Sequence, residues 1–359
     1  SKLREWDDIA VTLKKYTHFY DFEPDPTTAS GRHIHDYVEA RYTSLAAWRE
    51  AKKLRREDES GNPPAHVRPA HEGQVDPTMQ FLQEAGIKPG GWVRADVEPV
   101  DQRVSSCDVE AESKLAGFTA LPEKVLDAPY VSCYYDIETI GLDPEDGTLI
   151  QVSLVFSARG KAVEKHVVAL GTVDPVEGVH VHSVHNEADV IRKTRHILME
   201  KDPDWLVTYN GTSFDNNFLA VRASANHAEA DAVAEFLYLG RFALRPTRFR
   251  EQKLSSDGMG DNVLQYFDTP GRCNLDFLVI LRREHTSEVS YKLDHFAAKF
   301  CGDEKEAMDY REIPKLQAGT AADRARLASY CAHDSHLLKL IDEAQNITAG
   351  IVQYSQIYG

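Results

Sequence analysis

The pattern of apolar and polar positions after residue 130 predicts a layered α/β domain. Short apolar or alternating runs bounded by turn residues are typical of β-strands. Such runs lie at 131–137, 149–157, 165–170 and 205–209. Between the third and fourth runs, residues 186–199 have helical spacing, with Val190, Ile191, Ile197 and Leu198 on one apolar side. Three strands, a helix, a strand and further helices describe a mixed α/β layer fold.

The chain before residue 130 has a weaker pattern. Residues 16–22 and 92–97 predict short strands, and residues 37–56 predict a strand that runs into a charged helix. The stretch 57–76 is rich in Pro, Gly, His and charged residues, which favours a loop. We therefore expect a smaller α+β domain over residues 1–129.

The first candidate for chemistry is Asp136-Ile137-Glu138 in the first strand of the later domain. Alternate residues of a strand share a face, so the two carboxylates project together and Ile137 points to the opposite side. Two neighbouring acids on one face repel each other unless a cation lies between them. The alternative is a chance pair of acids on the surface.

The second candidate is Asp215, which follows an apolar strand and an Asn210-Gly211 turn at the expected start of a helix. Its alternative role is the N-cap of that helix, a position that Asp favours. The third candidate is Asp334, in the middle of an apolar stripe along a helix predicted from about Ala322 to Gln345. A buried carboxylate must be paired, hydrogen-bonded or metal-bound, so the alternative here is an ion pair with a neighbouring Arg or Lys.

Together the acids indicate one site. A strand supplies Asp136 and Glu138, a strand-to-helix junction supplies Asp215, and a helix supplies Asp334 with Tyr330 one turn before it. Mg²⁺ and Mn²⁺ prefer carboxylate oxygens, and phosphodiester hydrolysis by two metal ions about 4 Å apart uses such a set. We therefore predict a site for two divalent ions.

Composition changes this interpretation only slightly. Hydrophobic residues make up 42% and charged residues 27% of the 359 positions, as in folded globular proteins. The chain has no run of eighteen apolar residues and no apolar core of a signal peptide near Ser1, so we expect a soluble intracellular protein without a membrane partner. The five cysteines are scattered, without a C-x-x-C pair, and histidines such as His182, His185 and His333 show no zinc-ligand spacing.

The net charge of −16 is unusual for a protein that binds nucleic acid. A carboxylate site for metal ions accounts for part of this surplus, and bound cations invert the local field. A local basic segment also exists, in which arginines alternate with Phe242 and Phe249. Its members are Arg241, Arg245, Arg248 and Arg250. The alternative is a solvated hairpin face.

These motifs resemble the proofreading exonuclease of family B DNA polymerases of the delta-like kind. Asp136-Ile137-Glu138-Thr139 is similar to the first exonuclease motif, and Tyr209-Asn210 with Phe214-Asp215 is similar to the second. Tyr330-x-x-x-Asp334 is similar to the third motif in its tyrosine variant, and the similarity extends from about Phe81 to the C-terminus. The resemblance implies a ribonuclease-H-like mixed-sheet exonuclease domain over 130–345 and the start of a connection to a palm domain over 346–359.

The resemblance also implies roles for these residues. Asp136 bridges both metal ions, Glu138 and Asp334 complete the site of the ion that activates water, and Asp215 supports the second ion through water. Tyr330 orients the attacking water and the phosphate. Single-stranded or frayed DNA 3′ ends are the implied substrate. The implied DNA contacts are Tyr209, Asn210, Phe214, Arg241, Arg245, Arg248 and Arg250.

No palm aspartate motif and no fingers lysine motif occur, so we expect no polymerase site in this chain. Palm, fingers and thumb are then expected in a parent or partner chain, in the nucleus or at a site of viral replication. Three alternatives remain. They are a stand-alone ribonuclease-H-like exonuclease acting on RNA or repair intermediates, a non-catalytic DNA clamp or scaffold, and one chain of a split polymerase.

Overall fold

A computed structural model describes most of the chain. The described residues are 9–16, 27, 35–42, 77–124, 128–159, 161–225, 238–256, 260–303 and 308–357. They fall into two compact units, Ser1–Glu84 and Ala85–Gly359. All predicted site residues belong to the second unit, and the predicted domain boundary at residue 129 stays a prediction. The predictions for residues 17–22 and 43–76 lie outside the described residues.

The described residues before 130 form short strands and one α-helix. In the first unit, β1 and β2 form an antiparallel pair. In the second unit, β3 pairs with β6 and β4 pairs with β5, both antiparallel. The bounds are β1 (Ile9–Tyr16), β2 (His35–Tyr42), α1 (Pro77–Ala85), β3 (Val93–Ala95), β4 (Glu98–Pro99), β5 (Ala111–Glu112) and β6 (Phe118–Ala120).

A six-stranded mixed sheet forms the centre of the second unit, which confirms the predicted mixed α/β fold. Its strands, with the two of a separate hairpin, are β7 (Val131–Ile140), β8 (Thr148–Ala158), β9 (Glu164–Leu170), β10 (His180–Val184), β11 (Trp205–Thr208), β12 (Arg248–Ser256), β13 (Gly260–Asp268) and β14 (Cys273–Asp276). The order across the sheet is β10-β9-β8-β7-β11-β14. Strands β7, β8 and β9 pair antiparallel, and the outer pairs are parallel. The hairpin consists of β12 and β13.

Helices cover both faces of this sheet. They are α2 (Glu187–Lys201), α3 (Asp215–Ala225), α4 (Phe277–Glu284), α5 (Leu293–Cys301), α6 (Ile313–Ala318), α7 (Ala321–Gln345) and α8 (Ile347–Ile357). Helices α2 and α3 pack on one face, while α7 crosses the other face over β7, β8 and β9. Among the described residues, no helix has both the length and the apolar character needed to cross a membrane.

Strand β7 has two buried faces of different character. Tyr135 and Ile137 belong to the core on the side of α2 and α3, whereas Tyr134 packs with Leu338 and Ile341 of α7. Because side chains alternate along a strand, Asp136 and Glu138 share the α7 face with Tyr134. The two acids therefore lie in the layer between the sheet and α7.

Helix α7 begins at a capping box, in which Thr320 and Asp323 bind each other's backbone N–H groups. The predicted stripe is confirmed, since every member is buried: Leu327, Tyr330, Cys331, Asp334, Leu337, Leu338 and Ile341. Two small polar residues hold the helix against β8. The Ser153 hydroxyl donates to the Cys331 carbonyl at 2.9 Å and also pairs with the Ser335 hydroxyl.

Replacing Ser153 should therefore loosen the contact between α7 and the sheet. Ser153 is fully buried, so Ser153→Val adds volume at a closed interface and removes a hydroxyl that binds the helix. We expect the free energy of unfolding to fall by about 1–3 kcal/mol, measured by urea denaturation. Exposed Ser224 gives the control, and Ser224→Ala should change stability by less than about 0.5 kcal/mol. Equal stability of the two variants would contradict this packing.

Candidate active site

The acidic pocket begins on β7. Glu138 is buried and Asp136 is half-buried, on the strand face that α7 covers. Directly after them the pairing of β7 with β8 shifts register between Glu138 and Thr139, where the ladder skips Ile150 of β8. An extra residue of this kind bends its own strand and disrupts the ladder locally. The chain thus departs from a regular ladder next to both carboxylates.

The turn after β11 positions the next acid. Asn210 has a φ of +66°, a left-handed conformation that Asn tolerates better than most residues. At Gly211 a Cβ atom would lie 2.3 Å from the Thr208 hydroxyl, so the close approach of the chain requires glycine there. This Asn-Gly pair turns the chain from β11 into α3, whose first residue is Asp215.

The carboxylate of Asp276 holds this turn in place. It accepts hydrogen bonds from the backbone N–H groups of Asn210 and Thr212, each at 2.9 Å, and from the Thr212 hydroxyl at 2.5 Å. The same side chain caps α4 by accepting from the N–H of Leu278 at 3.0 Å. Asp276 therefore fixes the path of the chain into Asp215 from the end of a neighbouring strand.

Asp215 reaches across to β7. It is 4% exposed, and its carboxylate accepts a hydrogen bond from the N–H of Ile137, the residue between Asp136 and Glu138. Burial raises the pKa of Asp215 to about 7, and the charge of Asp276 adds to the increase. As in the alternative interpretation, Asp215 opens a helix, but its side chain is directed to the acidic strand.

Helix α7 closes the pocket with Cys331 and Asp334. The ligand atoms of Asp136, Glu138 and Cys331 lie within 4.8 Å of one another. The Cys331 thiol lies 3.8 Å from the carbonyl oxygen of Asp136, to which it donates. Burial raises the pKa of this thiol well above its ordinary value, and the charges of Glu138, Asp136 and Asp334 raise it further. Asp334, 3% exposed, therefore lies close enough to act on the same group as the two β7 acids.

The structure thus places Asp136, Glu138 and Asp334 near Cys331, and Asp215 against the β7 backbone at Ile137. Tyr330 lies one turn before Asp334, and it packs with Ile150, Ile313 and Leu327. Clustered carboxylates in a buried place repel each other, and divalent cations relieve that repulsion while using carboxylate oxygens as ligands. The donor set, carboxylates with one thiol among them, fits divalent ions, and the metal's role belongs to the proposal below.

The residues predicted to contact DNA are spread over several environments. In the second motif, the Tyr209 hydroxyl donates to the Tyr291 carbonyl at 2.8 Å, and Phe214 packs on Phe218 with ring centroids 5.6 Å apart. Both rings are half-buried near the turn that carries Asn210.

The four arginines are not one cluster. Arg241 binds Asp202 at 3.0 Å and Asp204 at 2.9 Å, so it ties chain segments together. Arg250 pairs across the hairpin with Asp268 at 3.0 Å. Arg245 lies over the ring of Phe242, and Arg248 is exposed at the start of β12. Arg245 and Arg248 are therefore the better placed pair for contacting phosphates.

Sequence reasoning missed several residues that build the site. The Tyr135 hydroxyl donates to the Asn216 side chain at 2.5 Å, and the Asn216 amide donates to the Gln265 carbonyl at 3.1 Å. The N–H of Gln265 in turn donates to the Thr212 carbonyl at 2.7 Å, which joins the hairpin to the second motif. Asp276 could have been recognised from the sequence, since it is an acid between the end of a strand and the start of a helix. No local pattern identifies Asn216, because its partners are remote in the sequence.

This fold and its acidic pocket define an exonuclease domain. A sequence profile described as the exonuclease domain of DNA polymerase family B matches residues 69–296. The chain therefore belongs to that family.

The relatives found among known proteins agree. The DNA polymerase delta catalytic subunit of Dictyostelium discoideum is 29% identical over 76% of this chain and 25% of its own length. The one from Caenorhabditis elegans is 28% identical over 80% of this chain and 28% of its own. A DNA polymerase of Paramecium bursaria Chlorella virus NY2A is 28% identical over 76% of this chain and 31% of its own length. The chain thus spans about a quarter to a third of the length of these relatives.

A solved structure shows the same fold. The family B DNA polymerase from Pyrobaculum calidifontis superposes with a TM-score of 0.63 and 17% identity, covering 98% of this chain and 39% of the other. At this identity the likeness concerns the fold, and it agrees with the mixed-sheet architecture predicted from the sequence.

The raised pKa of Asp215 predicts how stability changes with pH. Without metal ions, folded Asp215 holds a proton up to about pH 7, whereas the unfolded chain releases it near the ordinary value of 3.8. The folded state therefore binds more protons between these values, and its stability falls as pH rises. Asp215→Asn should remove this part of the fall, up to about 1.4 kcal/mol per pH unit. Urea denaturation in EDTA from pH 4 to pH 8 measures it.

Exposed Asp146 provides the matched control. Asp146→Asn should keep the wild-type slope. A variant lacking Asp215 that loses stability with pH as steeply as the wild type would show that this carboxyl is not held in a desolvated place.

Proposed function

We propose that this chain is a 3′→5′ proofreading exonuclease region that hydrolyses the last phosphodiester of a DNA strand and releases nucleoside monophosphates. The observation that supports the proposal is the set of acids around β7. Asp136 and Glu138 lie beside Cys331 of α7, whose thiol is also affected by the charge of Asp334, and Asp215 of α3 binds the β7 backbone at Ile137. Family membership supports the reaction class. Since the chain spans only part of its polymerase relatives, its activity and substrate are inferences.

The acids would hold two ions of Mg²⁺ or Mn²⁺. Asp136, the most open of the acids on β7, would contact both ions, with Glu138 and Asp334 completing one site and Asp215 supporting the other through water. Such ions, when bound, supply an activated water and stabilise charge on the leaving oxygen. The high pKa of Asp215 fits this role, because a nearby cation favours the charged carboxylate that burial alone disfavours.

The remaining groups of the site would position the DNA terminus. Tyr330 would orient the attacking water and the scissile phosphate from the helix that carries Asp334. The turn at Tyr209 and Asn210, held by Asp276, and the ring of Phe214 would hold the terminal nucleotides. Base stacking on aromatic rings tolerates any sequence, which suits an enzyme that removes whichever nucleotide is last.

The substrate would be single-stranded or frayed DNA delivered from a polymerase site. Palm, fingers and thumb would be supplied by a parent or partner chain, and the hairpin of β12 and β13 would help the strand move between the two sites. Gln265 of the hairpin is hydrogen-bonded to Thr212 and Asn216, which flank Asp215. Movement of the hairpin would therefore shift the turn before Asp215. A replication site, nuclear or viral, is the corresponding location.

Removing Asp136 should abolish hydrolysis. We expect Asp136→Ala to cut the rate of 3′-end shortening of a 5′-labelled single strand in Mg²⁺ by at least about a hundredfold, because a ligand shared by both ions is lost. Asp146→Ala, which removes an exposed acid in the turn between β7 and β8, should keep the wild-type rate. EDTA should stop both. Unchanged degradation by Asp136→Ala would refute the assignment.

The same assay tests the alternatives. Of matched RNA and DNA oligonucleotides, we expect the DNA to be cleaved faster. Faster cleavage of the RNA would favour the stand-alone ribonuclease-H-like exonuclease. DNA binding without any metal-dependent shortening would favour a clamp or scaffold.

Arg248 should contribute to DNA affinity through charge. We expect Arg248→Ala to weaken binding of single-stranded DNA and to reduce the slope of log affinity against log salt by about 0.7, the loss of one phosphate contact. Arg283, 69% exposed on α4, provides a control of equal charge, and Arg283→Ala should keep the wild-type slope. Equal slopes for all three proteins would assign the arginines of the β12 region to a solvated face.

A further inference from the structure

A second cluster of metal-ligating side chains lies at the opposite edge of the sheet from the β14 strand. It consists of Glu164 and His166 on β9 and His180 on β10. His166 shares its strand face with Val168, which packs in the core that α2 covers. Asp136 and Glu138 are on the other face, beneath α7. The cluster is therefore separate from the acidic pocket.

Strand pairing places these ligands side by side. His180 and His166 are direct partners in the parallel ladder of β10 and β9, and their rings stack with centroids 4.8 Å apart. Nε2 of His166 lies 3.5 Å from a carboxylate oxygen of Glu164. One ligand atom from each of the three residues lies within 4.8 Å of the other two. Spacing in the sequence did not indicate this site, because the strands bring together residues fourteen and sixteen positions apart.

The buried histidine is oriented as a ligand would be. The side chain of His166 is 9% exposed, and its Nε2 atom faces the Glu164 carboxylate at 3.5 Å, longer than a well-formed hydrogen bond. Its other nitrogen, Nδ1, lies 3.2 Å from Nε2 of His182 on β10. If Nδ1 donates its proton to His182, Nε2 presents a lone pair towards Glu164 and His180. A hydrogen bond from the second ring nitrogen is the usual way in which proteins orient a histidine that binds metal.

The exposed position of His180 provides access for an ion from solvent. The Glu164 carboxylate accepts a hydrogen bond from the Lys201 ammonium group at 2.6 Å. Two imidazoles and a carboxylate, with a water in the fourth position, are a common ligand set for Zn²⁺.

We propose that Glu164, His166 and His180 form a binding site for a borderline divalent cation of the Zn²⁺ class, with His182 orienting His166. The ion would join edge strand β10 to β9. Imidazole ligands favour Zn²⁺ over Mg²⁺, so this site and the acidic pocket would take different metals.

The competing interpretation is an ion pair with stacked rings and no metal. Lys201 lies 2.6 Å from the same oxygen of Glu164 that faces His166. If these residues form only an ion pair and bind no metal, Lys201→Ala should not create or increase affinity for Zn²⁺. If the cluster binds a cation, Lys201 competes for the carboxylate, and Lys201→Ala should keep or increase the affinity for Zn²⁺.

Calorimetric titration of the full chain with Zn²⁺, in excess Mg²⁺ to compete for the acidic pocket, tests the proposal. We expect one Zn²⁺ per wild-type chain. His180→Ala, at an exposed position, should weaken this binding by at least about tenfold, and His182→Ala by about 10- to 100-fold. His196, an exposed histidine on α2, is the control, and His196→Ala should bind as the wild type does.

Two results would overturn the site. One is Zn²⁺ binding that is absent, or equal in the wild type and His180→Ala. The other is a tenfold loss of affinity in Lys201→Ala. Circular dichroism of each variant checks that the fold is kept. Exonuclease assays in Mg²⁺ separate the two metal sites, since His180→Ala should keep the wild-type rate even though its Zn²⁺ binding is lost.

Discussion

The contact between α7 and the β7–β8 surface is the constraint on which the proposed site depends. Ser153 and Ser335 are small enough to let the helix backbone approach the sheet, and they satisfy each other's hydroxyls there. This approach puts Cys331 beside the backbone of Asp136 and buries Asp334. Burying acids close together costs free energy because the carboxylates lose solvent and repel each other. A bound cation would relieve that cost.

The acidic pocket was predictable from the sequence because its members follow the two simplest periodicities. Asp136 and Glu138 alternate on a strand, and Asp334 interrupts an apolar helical stripe, so each acid violated a burial pattern that its neighbours established. Asp215 was visible as the first charge after an Asn-Gly turn. The mixed sheet and the long helix followed from the same patterns.

Contacts between distant segments were not predictable in this way. Asp276 clamps the turn before Asp215 from sixty residues further along, and His166 meets His180 through a parallel ladder whose register no local pattern fixes. The arginines show the same limit. Arg241 looked like part of a basic strip, but its partners Asp202 and Asp204 lie some forty residues earlier. His182, which has no zinc-ligand spacing in the sequence, lies half-buried in β10 beside His166.

The most direct test of the account is where hard divalent ions bind. Crystals of the chain grown with Mn²⁺ and a short single strand should show two anomalous scattering peaks about 4 Å apart, between Asp136, Glu138, Asp215 and Asp334. Peaks elsewhere on the chain with none among these four carboxylates would contradict the central claim that the α7 contact builds a two-metal site.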